Sequence, residues 1–135
     1  MNTVGIKKNM NRIVLVDDDE DLTRLIQYEF LQIGFETIVF NNGQEALNFI
    51  MNEENLADVF LLILDRILPD MDGLDILKQF KSQSNSKIPV LILSALNSKI
   101  DVLEGIQCGA LDYITKPFSI FLLMQKTINL LKDTV

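Results

Sequence analysis

Five side chains capable of chemistry each follow a short apolar run. Asp17 and Asp18 follow Ile13–Val16, Asp65 follows Val59–Leu64, Ser94 follows Val90–Leu93, and Lys116 follows Tyr113–Thr115. Runs of this kind suit strands covered on both faces, and the carboxyl ends of such strands form the ligand-binding rim of an open α/β sheet. Gathered on one rim, carboxylates, a hydroxyl and an ammonium would suit Mg2+ and a phosphoryl group.

Each residue also has an ordinary structural reading. The run Asp17-Asp18-Asp19 can be a solvated turn or a helix start, and Asp19 is placed to cap a helix or favour its first turn. Asp65 adds weight to a metal role, because it ends the longest apolar strand, where a buried carboxylate is costly unless paired or bound to a cation. Carboxylate oxygens, a backbone carbonyl and several waters make the octahedral set that Mg2+ accepts. Lys116 before Pro117 reads in isolation as an exposed turn. On a rim with three acids it can pair with carboxylate at rest and with phosphoryl oxygen afterwards, and a cis peptide before Pro117 is the form that could aim it inward. Ser94 alone is a helix or turn hydroxyl; at the rim it becomes a donor to a phosphoryl oxygen.

These residues need a parallel sheet to bring them together, and the pattern supplies one. The 135 residues suit a single domain in which strand and helix alternate five times. Strands are expected at Arg12–Val16, Glu36–Phe40, Val59–Leu64, Pro89–Leu93 and Asp112–Thr115, the second and fifth being weaker and edge-like. The first helix carries Leu22, Leu25, Ile26, Phe30 and Ile33 on its apolar stripe and ends at Gly34. Asn42 with Glu45 resembles a capping box, Asp72 can cap a third helix, and further helices are expected from Ser98 to about Gln107 and from Ser119 to Leu131. Residues 1–11 are expected to be a flexible tail and 133–135 a short end, leaving residues 12–132 as the folded unit.

The net charge of −7 argues against direct nucleic-acid binding, which needs basic patches. With no histidine, the chain has no His-based triad, zinc-histidine site or phosphohistidine of its own, so a phosphohistidine donor must be another protein. The single cysteine, Cys108, reads as helix packing. No apolar run is long enough for a membrane span or a signal peptide, so the chain is expected to be cytoplasmic.

Five ordered blocks now carry a resemblance: Ile13-Val-Leu-Val-Asp-Asp-Asp19, Asn42-Gly-Gln-Glu-Ala-Leu47, Leu64-Asp-Arg-Ile-Leu-Pro-Asp-Met-Asp-Gly73, Ile88-Pro-Val-Leu-Ile-Leu-Ser-Ala95 and Gly109-Ala-Leu-Asp-Tyr-Ile-Thr-Lys-Pro-Phe118. From Arg12 to about Leu131 the chain resembles the receiver domain of two-component response regulators. The resemblance implies a doubly wound, flavodoxin-like (βα)5 fold with strand order 2-1-3-4-5. It makes Asp65 the phosphoacceptor, and it makes Asp17, Asp18, Asp65 and the backbone carbonyl of Ile67 the Mg2+ ligands. Lys116 and the Ala95 amide would bind phosphoryl oxygens, and Ser94 and Tyr113 would form the switch. The phosphodonor would be a histidine kinase or histidine phosphotransfer protein, and an output domain or effector would read the face of the fourth helix, fifth strand and fifth helix. Such a domain catalyses only its own phosphorylation and dephosphorylation.

Some positions depart from the common pattern. Arg66 stands where many members carry an apolar or smaller residue, which bears on phosphoryl lifetime or partner contact. Ser94 replaces a more frequent Thr but keeps the hydroxyl. Phe121 and Leu122 add apolar groups beside the expected inward set Leu123, Met124, Ile128 and Leu131. Leu122 stands where regulators that dimerise through a charged network often carry an acid, so a homodimer here would need a different contact. Two other readings compete: the receiver half of a truncated DNA-binding transcriptional regulator, and a haloacid-dehalogenase-like Mg2+-dependent phosphatase. The second needs an Asp two residues after its nucleophile, where this chain has Ile67.

Overall fold

In a computed structural model, which describes residues 11–133, five parallel strands pair in the order β2-β1-β3-β4-β5. They are β1 (Arg12–Val16), β2 (Glu36–Phe40), β3 (Val59–Leu64), β4 (Val90–Ser94) and β5 (Asp112–Thr115). The helices are α1 (Glu20–Gln32), α2 (Gly43–Ile50), α3 (Gly73–Gln83), α4 (Lys99–Gln107) and α5 (Ile120–Asp133), with a 3-10 turn at Glu53–Leu56 before β3. The fold is therefore the doubly wound flavodoxin-like α/β class, with β2 and β5 at the edges. The expected tail lies, except for Asn11, outside the described residues, as does most of the segment 133–135.

Alternation along the strands builds two apolar layers. Ile13, Leu15, Leu61, Ile63, Leu91 and Leu93 face α1 and α5, where Ile26, Phe30 and Leu123 meet them. Val14, Val16, Leu62, Leu64, Val90 and Ile92 face the other side, with Ala46, Ile50, Leu77 and Phe80. A register shift between Arg12 and Ile13 breaks the alternation at the start of β3. Phe60 thus joins Leu61 in the first layer, 5.1 Å from the ring of Phe35.

Helix ends follow local chemistry. Asp19, Asn42, Asp72 and Ser98 each accept a backbone N–H of the helix they open. At the end of α1, Gly34 has φ 93°, and Phe35 N–H reaches the Phe30 carbonyl at 2.9 Å, a Schellman closure that also brings the two rings together.

Several expectations need correction. Strand β4 runs one residue later than Pro89–Leu93: Pro89 has no N–H to give to the ladder, whereas Ser94 still pairs with Thr115. Leu25 and Ile33 of the expected α1 stripe are exposed, and Thr23 is buried instead. In α5 the fully buried positions are Leu123 and Thr127, whose hydroxyl donates to the Leu123 carbonyl, while Ile128 is only half-buried. A threonine that satisfies its hydroxyl on its own helix can occupy an inward position that polarity alone would assign to solvent.

Candidate functional site

The strand order places the switch point between β1 and β3, since α1 leaves toward one face of the sheet and α3 toward the other. Ligands bind in the crevice this creates at the carboxyl ends. Three rim residues lie one step beyond their strands yet remain tied to the sheet by backbone hydrogen bonds. Asp17 N–H donates to the Phe40 carbonyl (3.0 Å), Asp65 N–H to the Val16 carbonyl (2.9 Å) and Lys116 N–H to the Ser94 carbonyl (2.9 Å). Their side chains are consequently aimed by the sheet rather than by mobile loops.

At the centre, Lys116 Nζ lies 2.7 Å from Asp17 Oδ2 and 2.9 Å from Asp65 Oδ2. Both acids are almost fully buried, whereas Asp18 is exposed. The peptide bond before Pro117 is cis. Asp17 Oδ1 accepts the Asp19 N–H (2.9 Å), and Asp65 Oδ1 accepts the Ile67 N–H (3.0 Å), so both carboxylates have fixed orientations. Burial pushes the Asp17 carboxyl above the usual carboxylate range, against the pull of Lys116. Burial also opposes the Lys116 ammonium, but its hydrogen bonds to Asp17 and Asp65 outweigh this and hold it above the usual lysine range.

One carboxylate oxygen from each of Asp17, Asp18 and Asp65 falls within a cluster spanning 4.8 Å, the single acidic group of this kind among the described residues. Three acids face one ammonium, and no described cation pairs with Asp18. This surplus of hard oxygen donors fits a small divalent cation, and octahedral Mg2+ accepts such a set. Ile67 lies in the adjoining loop, bridged to Asp72, and Ala95 is exposed directly after Ser94.

The loop after Asp65 is held at both ends. Gly73, the first residue of α3, donates to the Arg66 carbonyl at 2.8 Å, and a Cβ there would overlap the Asp65 carbonyl oxygen. Asp70 accepts from Gly43 N–H (2.7 Å) and Gln44 N–H (2.9 Å), clamping the loop to the start of α2. Those two bonds lower the Asp70 pKa. Ser94, fully buried, accepts the Leu96 N–H at 3.3 Å, and Tyr113 Oη donates to the Leu96 carbonyl at 2.6 Å. Leu96 therefore joins the two expected switch residues through its backbone. Neither Asp70 nor Leu96 was expected from sequence: the pairing of a loop acid with a distant helix start, and a linkage made by main-chain atoms, have no residue-type signature.

The chain matches the family model for the response regulator receiver domain over residues 13–128. It is 38% identical over 108 residues to the alkaline phosphatase synthesis transcriptional regulatory protein PhoP of Bacillus subtilis, covering 80% of this chain and 43% of the relative. To the transcriptional regulatory protein CpxR of Escherichia coli it is 37% identical, covering 82% and 44%. The chain thus matches less than half the length of these relatives. The receiver domain of the Francisella response regulator 1452 superposes with a TM-score of 0.83 at 36% identity, covering 93% of this chain and 99% of that one.

Proposed function

Because this chain belongs to the response regulator receiver domain family, we propose that Asp65 is its phosphoacceptor, taking a phosphoryl group from a histidine kinase or a histidine phosphotransfer protein. The observation that carries this reading is the buried Asp17–Lys116–Asp65 arrangement at the switch point, with Asp18 beside it. An Asp65 oxygen attacks phosphorus in line; the new O–P bond forms as the donor's bond to phosphorus breaks, and the donor leaves with that electron pair. Bound Mg2+, held by Asp17, Asp18, Asp65 and the Ile67 carbonyl, would neutralise charge on the transferring group. Lys116, already beside Asp65, meets a phosphoryl oxygen, and the Ala95 amide supplies another donor. The domain promotes its own modification and its reversal and turns over no external substrate.

The signal leaves through the segment containing Leu96. When the Ser94 hydroxyl turns to a phosphoryl oxygen, it gives up the Leu96 N–H, and Tyr113 then loses the fixed position of its carbonyl partner. The surface of α4, β5 and α5 changes for an effector or a second copy. The receiver unit spans residues 12–132. A second reading, favoured by relatives named as transcriptional regulators, has this unit control a DNA-binding segment; a full-length product lacking one would overturn that reading.

Incubation with acetyl phosphate and Mg2+ tests the central assignment. Intact mass should rise by one base-labile phosphoryl group, and Asp65→Asn should abolish the gain; an unchanged mass, or full labelling of the variant, would refute it.

A further inference from the structure

Helix α4 is held against the domain with little apolar burial. Ile100, Leu103 and Ile106 are 71%, 55% and 41% exposed, and its one buried residue is Gly105. A Cβ at position 105 would lie 2.8 Å from both Ile92 Cδ1 and the Tyr113 ring, so the helix backbone rests directly on that ring. This contact is too small to fix a helix by itself, because helical stability in proteins comes mainly from packing an apolar face.

The missing restraint comes from the loop that follows β3. Arg66, next to Asp65 and only 6% exposed, donates from Nη1 to the Asp101 carbonyl (3.0 Å) and from Nη2 to Glu104 Oε1 (3.3 Å). Both partners are in α4, in the turn that precedes the Gly105 contact with Tyr113. Its Nε is buried without a partner, a cost that persists only where the rest of the guanidinium is firmly engaged. The carbonyl of the same residue accepts the Gly73 N–H, so it joins the loop after Asp65, the start of α3 and the middle of α4.

We infer that Arg66 is a positioning residue whose guanidinium sets the seat of α4 on Tyr113 and thereby the resting state of the Ser94–Leu96–Tyr113 segment. The significance for signalling rests on the phosphoacceptor reading, but the mechanical linkage does not. Removing the fork leaves α4 with its cap and the flat contact at Gly105, so it opens more often while the sheet stays intact. A fork matched to two acceptors is a property of arginine that a single ammonium does not reproduce.

Amide hydrogen exchange by NMR on the unphosphorylated full chain tests the linkage without any phosphodonor, so its outcome is independent of whether Asp65 is modified. In Arg66→Ala, amides of residues 102–107 should exchange about tenfold faster or more, with β3 and α1 amides unchanged and the Tyr113 ring resonances displaced. Glu104→Ala, which alters an exposed side chain, should produce a smaller acceleration confined to the same residues and supplies the test if Arg66→Ala does not fold. Wild-type protection across α4 in either variant would overturn the inference. So would a loss spread equally over β3 and α1, or Tyr113 resonances that remain in place in Arg66→Ala.

Discussion

Lys116 balances the two buried carboxylates that the sheet holds beside it, and this balance is delicate. Asp17 has a folded pKa above that of an unfolded Asp, so its contribution favours the fold below about pH 3.9 and is lost as pH rises through the folded value. At pH 7 the ionised group is a cost to the fold. Asp17→Asn should therefore raise the urea midpoint at pH 7 without divalent ions, and Mg2+ should stabilise wild type more than the variant. Lys116→Met should have the opposite effect, lowering stability by about 3–5 kcal/mol, because removing one partner leaves buried charge uncompensated; a wild-type midpoint would contradict this. The rim residues were legible because each ends an apolar run. Leu96 was not, since it acts through its N–H and carbonyl, which every residue possesses, and the partners of Arg66 lie 35 and 38 positions away in the chain.

Individual elements position the site through their ends. Gly73 lets α3 start against the Asp65 backbone, and Gly73→Ala should cost about 1–3 kcal/mol or more, since the overlapped atom is backbone that cannot rotate aside. Thermal unfolding at the wild-type temperature would contradict that geometry. Asp70 behaves oppositely to Asp17: its folded pKa lies below the unfolded value, so its stabilisation is present above about pH 3.9 and is lost as pH falls through the folded pKa. The difference in urea midpoint between wild type and Asp70→Asn should shrink from pH 6 to pH 3; a constant difference would exclude the charge of Asp70 as its source. Strand positions and caps were legible because apolar runs and Asp, Asn or Ser at helix starts have direct physical causes. The buried faces of α1 and α5 were less so. Helical periodicity identifies a stripe but not its edges, which depend on how each helix lies across the sheet, and so Leu25 was expected inside and Thr127 was not.

At the scale of the whole molecule, strand order does what no single element can: it brings residues 17, 65 and 116 into contact across 99 positions of chain. The order was expected from family resemblance, whereas alternation alone established only a parallel sheet. Among the described residues, no helix is long and apolar enough to cross a membrane. The proposed phosphorylation puts the phosphoryl group on one carboxylate, that of Asp65, whose Oδ2 lies 2.9 Å from Lys116 Nζ. Borohydride reduction of the acetyl-phosphate-treated protein converts an acyl phosphate to an alcohol, and peptide sequencing by mass spectrometry then locates it. Homoserine is expected at position 65 and at no other aspartate; homoserine at Asp17 or Asp18, with residue 65 unmodified, would contradict the assignment of Asp65 as phosphoacceptor.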